Sequence, residues 1–203
     1  MRLALLALAA ACGAAAAADG NELATRVLAR LAEVPVVRAE FMQERFVASM
    51  PAPVLSRGRM TMSRHEGLIW RIVEPVKLTL AFTPTDIIET GADGVRRAGA
   101  ARRGRAQAEM GRLIRSLTAA DAAELRADFE LRAEGSLERW KLHLLPRRRE
   151  MARFLAAVEL AGGRYLETIE IHTTSGERTV MRMSKFVAAT ALEPAERDEL
   201  TPP

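Results

Sequence analysis

Three histidines, His65, His143 and His172, are the first residues of this 203-residue chain that could ligate a metal or carry a proton. They stand far apart and none falls in a Cys/His or HExxH pattern, so their spacing predicts structural or surface roles and no metal site. Paired acids occur at Glu40 with Glu44 and at Asp121 with Glu124, but each pair is accounted for by a strand edge or a helix surface. No GxSxG sequence presents a serine nucleophile, and Gly135-Ser136 reads as a turn between strands. The glycines near Arg96 form no phosphate-cradling pattern. The chain therefore predicts neither enzymatic turnover nor a cofactor.

Two other residue types stand out. Arginine clusters at Arg96, Arg97, Arg102, Arg103 and Arg105, and again at Arg147, Arg148 and Arg149. Nucleic-acid binding would need aromatic residues interleaved for stacking, and none lies between Val95 and Gln107. The first cluster reads as a solvated loop, the second as a turn; the alternative for the first is contact with anionic lipid headgroups or an acidic partner. Methionine is the second type: Met60, Met62, Met181 and Met183 fall on the expected inner faces of strands, in a chain with only 4% aromatic residues. Either these fill an ordinary core, or they line a concave sheet that holds a flexible apolar ligand, since methionine's unbranched, polarizable chain adapts to variable shapes.

The elements that must position these residues begin with a leader. Arg2 is followed by the short Leu/Ala run Leu3 to Ala11, then by Ala16, Ala17 and Ala18 and polar Asp19, the pattern of a signal peptide cleaved after Ala18. The apolar run is too short for a spanning helix, which needs about 20 residues. Cys12 is the one cysteine and would leave with the leader; Leu8 sits one position too far back for a lipid-modified start. Residues 19–203 then form a single exported domain, with no nucleic-acid partner, and act as a monomer. A net charge of +4 is mild for the full chain.

From Asn21, apolar residues recur at helical spacing (Leu23, Ala24, Val27, Leu28, Leu31) and predict a helix ending before Pro35. Strands follow: Val37 towards Phe46, then around Met60 and Met62, then Leu68 to Ile72 up to Glu74-Pro75, then Leu78, Leu80 and Phe82, and a short one at Ile87-Ile88. Met110, Leu113, Ile114 and Leu117 return to helical spacing, and Thr118 with Asp121 resembles a capping box opening a second short helix through Leu125. Five alternating segments end the chain, at Phe129, at Trp140 with Leu142 and Leu144, at Phe154 to Leu160, at Tyr165 with Ile169 and Ile171, and at Met181 with Met183. No crossover helices separate them, so the sheet is antiparallel.

Gly58-Arg59-Met60-Thr61-Met62-Ser63-Arg64, followed by Trp70-Arg71-Ile72-Val73-Glu74-Pro75, resembles the hallmark of the outer-membrane lipoprotein carrier (LolA) family. Phe41-Met42-Gln43 is similar to its upstream Phe-x-Gln, and Leu142-His143-Leu144-Leu145-Pro146 to its Leu-x-Leu-x-Pro strand. The order of elements agrees over nearly the whole chain after the leader. Three places differ from the pattern and mark a divergent LolA-like subgroup: His65 stands where the family has proline, Thr85 to Glu89 lacks the aromatic residues of the following strand, and the arginine loop from Arg96 to Arg105 is not part of it.

The resemblance implies an α+β fold, mainly antiparallel β: an incomplete, open β-barrel whose N-terminal helix and short mid-chain helices act as a lid over an apolar cavity. It implies a periplasmic carrier without turnover, taking acylated lipoprotein or lipid cargo from an inner-membrane exporter to an outer-membrane acceptor. Arg64 falls on the arginine that joins barrel to lid. The cavity would be lined by Met60, Met62, Trp70, Ile72, Leu78, Leu80 and Phe82, by Leu113 and Leu117 of the lid, and by Trp140, Leu142, Leu144, Ile169, Ile171, Met181 and Met183. The competing reading is a structural or interaction protein whose sheet is closed by its own side chains, with the arginine loop docking a partner.

Overall fold

The computed structural model describes residues 7–99, 113, 114, 116, 117 and 122–203. After helix α1 (Ala7–Ala32) come β1 (Val36–Phe46), β2 (Val54–Ser63), β3 (Gly67–Glu74), β4 (Leu78–Phe82), β5 (Ile87–Thr90) and β6 (Arg96–Ala98). Helix α2 (Ala122–Asp128) leads into β7 (Phe129–Ser136) and β8 (Arg139–Pro146), and a one-turn helix, α3 (Arg149–Ala152), precedes β9 (Leu155–Gly162). Strands β10 (Leu166–Thr173) and β11 (Arg178–Ala189) and helix α4 (Pro194–Leu200) complete the chain.

The strands form one eleven-stranded antiparallel sheet in the order β6-β5-β4-β3-β2-β1-β11-β10-β9-β8-β7. It is thus two meanders, β1 to β6 and β7 to β11, joined where β1 pairs with β11 and Phe41 lies opposite Met183. The sheet stays open, with β6 and β7 at its edges, so the expected open, mainly antiparallel α+β architecture is what the chain adopts. Alternation explains the strands: β8 buries Trp140, Leu142 and Leu144 and turns Lys141 and Leu145 outward. Gly58 is required by close approach, since a Cβ there would lie 1.9 Å from the Arg71 carbonyl oxygen on β3.

Helix α1 stops at Ala32, ahead of Pro35, as the spacing predicts. It starts at Ala7, so it is longer towards the N-terminus than the periodicity from Asn21 indicates. Ala24, Val27 and Leu28 are buried against the inner face of the β7 to β9 region. Residues 113, 114, 116 and 117 are helical and α2 follows; Met110, Thr118 and Asp121 lie outside the described residues. Phe154, just before β9, is exposed, and burial starts at Leu155, because the register shifts where Thr173 meets Leu155; Val158 and Leu160 are buried as expected.

The opposite, outer face of the sheet is covered in part by α4, whose Leu200 packs with Leu192, Val36, Ile69, Ala81 and Ile88. Arg38 on β1 grips Glu196 with a fork, Nε to Oε1 at 2.8 Å and Nη2 to Oε2 at 2.5 Å. The Thr61 hydroxyl donates to the same carboxylate at 2.9 Å, and the Glu193 N–H donates to it at 2.8 Å, completing a capping box. Burial by itself pushes the Glu196 carboxyl up; the bonds from Arg38, Glu193 and Thr61 and the Arg38 charge outweigh burial and bring it down to about 2. From the edge, Arg96 on β6 donates to the carbonyls of Asp198 and Glu199 at 2.9 and 3.2 Å and to that of Thr201. The segment read as the start of a solvated arginine loop is therefore a strand paired with β5, and Arg96 is a cap on the end of α4.

Candidate functional site

The apolar residues expected to line a cavity share the inner face of the sheet, but they separate into two kinds of surroundings. Trp140, Leu142, Leu144 and Leu113 belong to a cluster completed by α1 and α2, with Leu117, Ile169 and Ile171 packed at its margin. Across β1, Phe41, Met181 and Met183 are buried together, with Met60, Trp70 and Ile72 half-buried against them. Phe82 is buried beside Leu68 and Ile87, with Leu80 half-buried at its flank, and Leu78 shares their face opposite Ile72. The Trp70 ring meets Phe41 edge to face, centroids 5.2 Å apart at 79°. Its Nε1 is buried and, among the described residues, has no hydrogen-bond partner.

Between α1 and the half-buried region lies an apolar cavity of about 20 Å³, the room of about one water. Leu31 of α1 faces Val37, Ala39, Met60, Met62 and Met183 across it. At this point Arg64, just after β2, donates from Nη1 to the Ala32 carbonyl at 2.7 Å, and its backbone N–H donates to the Pro35 carbonyl at 3.0 Å. Ala32 ends α1, where carbonyls lack intrahelical partners and a cation is favoured, so the guanidinium answers both needs. Two more arginines tie the helix down: Arg30 donates to the Leu137 carbonyl at 3.1 Å, and Arg126 of α2 donates to the Asn21 carbonyl at 2.9 Å and to Thr25 Oγ1 at 2.8 Å.

The titratable candidates lie elsewhere. His143 sits 3.4 Å from Glu134 and 3.7 Å from Glu159, and His172 is 3.1 Å from Glu170, all in a ladder of charges on the outer face. Of the first arginine cluster, Arg96 is engaged on α4 and Arg97 pairs with Asp93 at 3.0 Å; Arg102, Arg103 and Arg105 lie outside the described residues. What sequence reasoning missed at the cavity is its rim: Arg164, Tyr165 and Phe186. Gly162-Gly163 marks the turn that carries the first two, whereas nothing in the sequence announces the irregularity that brings Phe186 inward.

The family model for the outer membrane lipoprotein carrier protein LolA-like family matches residues 11–201. A domain named for outer-membrane lipoprotein sorting, from Vibrio parahaemolyticus, is similar at 12% identity and a TM-score of 0.54, over 90% of this chain and 97% of that one. A DUF1329 family protein from Desulfovibrio piger is similar at 10% identity and 0.50, over 88% and 95%. A LolA superfamily protein from Nitrosomonas europaea aligns at 14% identity and 0.48, over 84% and 95%. No functionally curated protein matches significantly. With the family model spanning almost the whole described sheet and its helices, this chain belongs to the LolA-like family of outer membrane lipoprotein carrier proteins.

Proposed function

We propose that the protein is a periplasmic carrier that shields the acyl chains of a lipoprotein or related lipid and ferries them from the inner to the outer membrane. In this reading residues 1–18 are a leader cut after Ala18, and the freed chain 19–203 works as a monomer between an exporter and an acceptor. Among the described residues no helix is long and apolar enough to cross a membrane. The observation that carries the reading is the junction at Leu31: an apolar, methionine-lined cavity under the end of α1, where Arg64 bonds the Ala32 carbonyl.

A cavity of about 20 Å³ holds no acyl chain, so loading requires the end of α1 to lift from Met60 and Met62. Each buried methylene then contributes roughly 0.8 kcal/mol, and one long chain on the order of 10 kcal/mol. Lifting α1 breaks the Arg64 bond and exposes Leu31, which offsets part of this gain and lets the cargo leave. Arg64 thus acts as the gate, and the half-buried apolar face as the binding surface. The second reading, a structural protein with a closed interior, draws on the tight packing around Trp140, Leu142 and Leu144.

Expression with the leader, purification from the periplasm and mass spectrometry of the bound material separates the two. The carrier should co-purify with acylated material. Apolar cargo consistently absent would leave the closed-interior reading.

A further inference from the structure

We propose that Arg164, Tyr165 and Phe186 form a collar at the cavity mouth that recognises the anionic head of a single-chain acyl ligand. The proposal rests on the carrier reading and adds the chemical class of the cargo. All three residues line the mouth of the apolar cavity under Leu31. The Tyr165 and Phe186 rings are stacked, centroids 4.8 Å apart and 16° from parallel. The Arg164 guanidinium stands 5.6 Å from the centre of the Tyr165 ring. It is exposed, and among the described residues no carboxylate pairs with it.

Two separate departures from regular strand geometry build this collar. The first is the turn between β9 and β10. Trp140 Nε1, fully buried, donates to the Gly163 carbonyl at 2.8 Å, and the Gly163 N–H donates to the Tyr165 carbonyl at 3.2 Å. A Cβ on Gly162 would lie 2.0 Å from that same Tyr165 oxygen and 3.0 Å from Trp140 Cζ2, so the turn fits only with glycine. Arg164 and Tyr165 are thereby held by a buried side chain from β8, which a solvated hairpin tip would not need.

The second is on β11. Ser184 lies opposite Glu40 and Val187 opposite Arg38, so Lys185 and Phe186 together face one residue, Ala39. Lys185 takes φ of 56°, uncommon for a side chain with a Cβ, and its ammonium pairs with Glu40 at 2.8 Å on the outer face. The bulge sends Lys185 out and Phe186 in, onto Tyr165. Both irregularities converge on one spot, where an otherwise apolar opening gains a single planar cation with its donors unpaired. A guanidinium so placed fits a carboxylate or a phosphate monoester whose alkyl chain enters below it, and gives a neutral head nothing.

The test titrates the leaderless chain and the Arg164→Gln variant with three amphiphiles of equal chain length, below their micelle concentrations: palmitate, lysophosphatidic acid and neutral monopalmitoylglycerol. The wild type should bind at least one anion about five- to tenfold tighter than the neutral lipid, a preference that shrinks with added salt. R164Q should bind all three alike, at the neutral lipid's affinity, and Arg164→Lys should recover only part of the preference. Preference for palmitate alone or for the phosphate alone names the head. Equal binding of all three by the wild type, or a preference that survives in R164Q, overturns the collar while leaving the carrier standing. Binding of none of the three removes the carrier reading and the collar with it.

Discussion

One continuous apolar face is used in two ways on the two sides of β1. Towards β7, β8 and β9 it is sealed by α1 and α2, and Trp140, Leu142, Leu144 and Val158 are at most 1% exposed. Towards β2, β3 and β4 the cover given by the described residues is thinner, Leu31 of α1 and helical Ile114, and Met60, Met62, Trp70, Ile72 and Leu80 are only half-buried. Chemistry follows surroundings: leucine and tryptophan, with well-defined rotamers and a satisfied indole N–H, occupy the sealed side, while methionine and a tryptophan whose N–H has no partner among the described residues occupy the open one. The sealed side holds the fold together, and the half-buried side is the part of the face that the proposed cargo would occupy.

The strongest test of that division is truncation. Leu142→Ala or Leu144→Ala on the sealed side should cost about 2–5 kcal/mol, because the packed site cannot collapse around the void. Met62→Ala on the open side should cost less, about 1–2 kcal/mol, because its side chain is only half-buried to begin with. Denaturant unfolding of the three variants measures the contrast; equal losses would erase it.

The outer face supplies a test of comparable size. Glu196→Gln leaves Arg38 without its carboxylate and should destabilise by about 2–4 kcal/mol. The native carboxyl titrates at about 2, below its unfolded value, so its contribution is complete above the usual glutamate range and is lost as pH falls towards 2. Unfolding free energy measured from pH 6 to pH 2.5 should decline more steeply in the wild type than in the variant; parallel curves would contradict this assignment.

A smaller effect is expected at the boundary between the two sides. Trp140→Phe keeps the ring in the sealed cluster and removes the bond to Gly163, which should cost about 1–2 kcal/mol and loosen the collar turn. Amide exchange at Gly163 to Tyr165 should quicken while exchange in β8 changes little. Smallest in stability is Arg64→Leu, about 0.5–1 kcal/mol from an exposed helix-end bond. Its effect should fall on function: cargo capture persists while transfer to an acceptor membrane slows. Unchanged transfer would remove Arg64 from the gate.

The strands were largely legible because each meander pairs neighbours and one side of the sheet is apolar, so period-two alternation survives along Val37 to Phe41, Met60 to Met62 and Trp140 to Leu144. Helix α4 was not legible, since its N-cap is Glu193, outside the usual capping residues, although Pro194 and Glu196 were in the right places. Strand β6 is three residues of arginine and alanine, whose place comes from pairing with β5 and from Arg96 reaching α4. The two-sidedness of the inner face was invisible for a different reason. Leu142 and Leu80 carry the same pattern, and the position of α1 and α2 over the sheet decides which is sealed. Phe186 is displaced by a bulge at a lysine, a position that no propensity marks.

The central claim, that acyl cargo occupies the open side, is tested most directly by photo-crosslinking. A palmitoyl ligand with a diazirine midway along its chain is bound to the purified protein, irradiated, and its adducts are mapped by peptide mass spectrometry. The account predicts adducts on Met60, Met62, Trp70, Leu80 or Met183 and none on Leu142, Leu144 or Val158. Adducts centred on the sealed residues, or spread evenly over the protein surface, would contradict it.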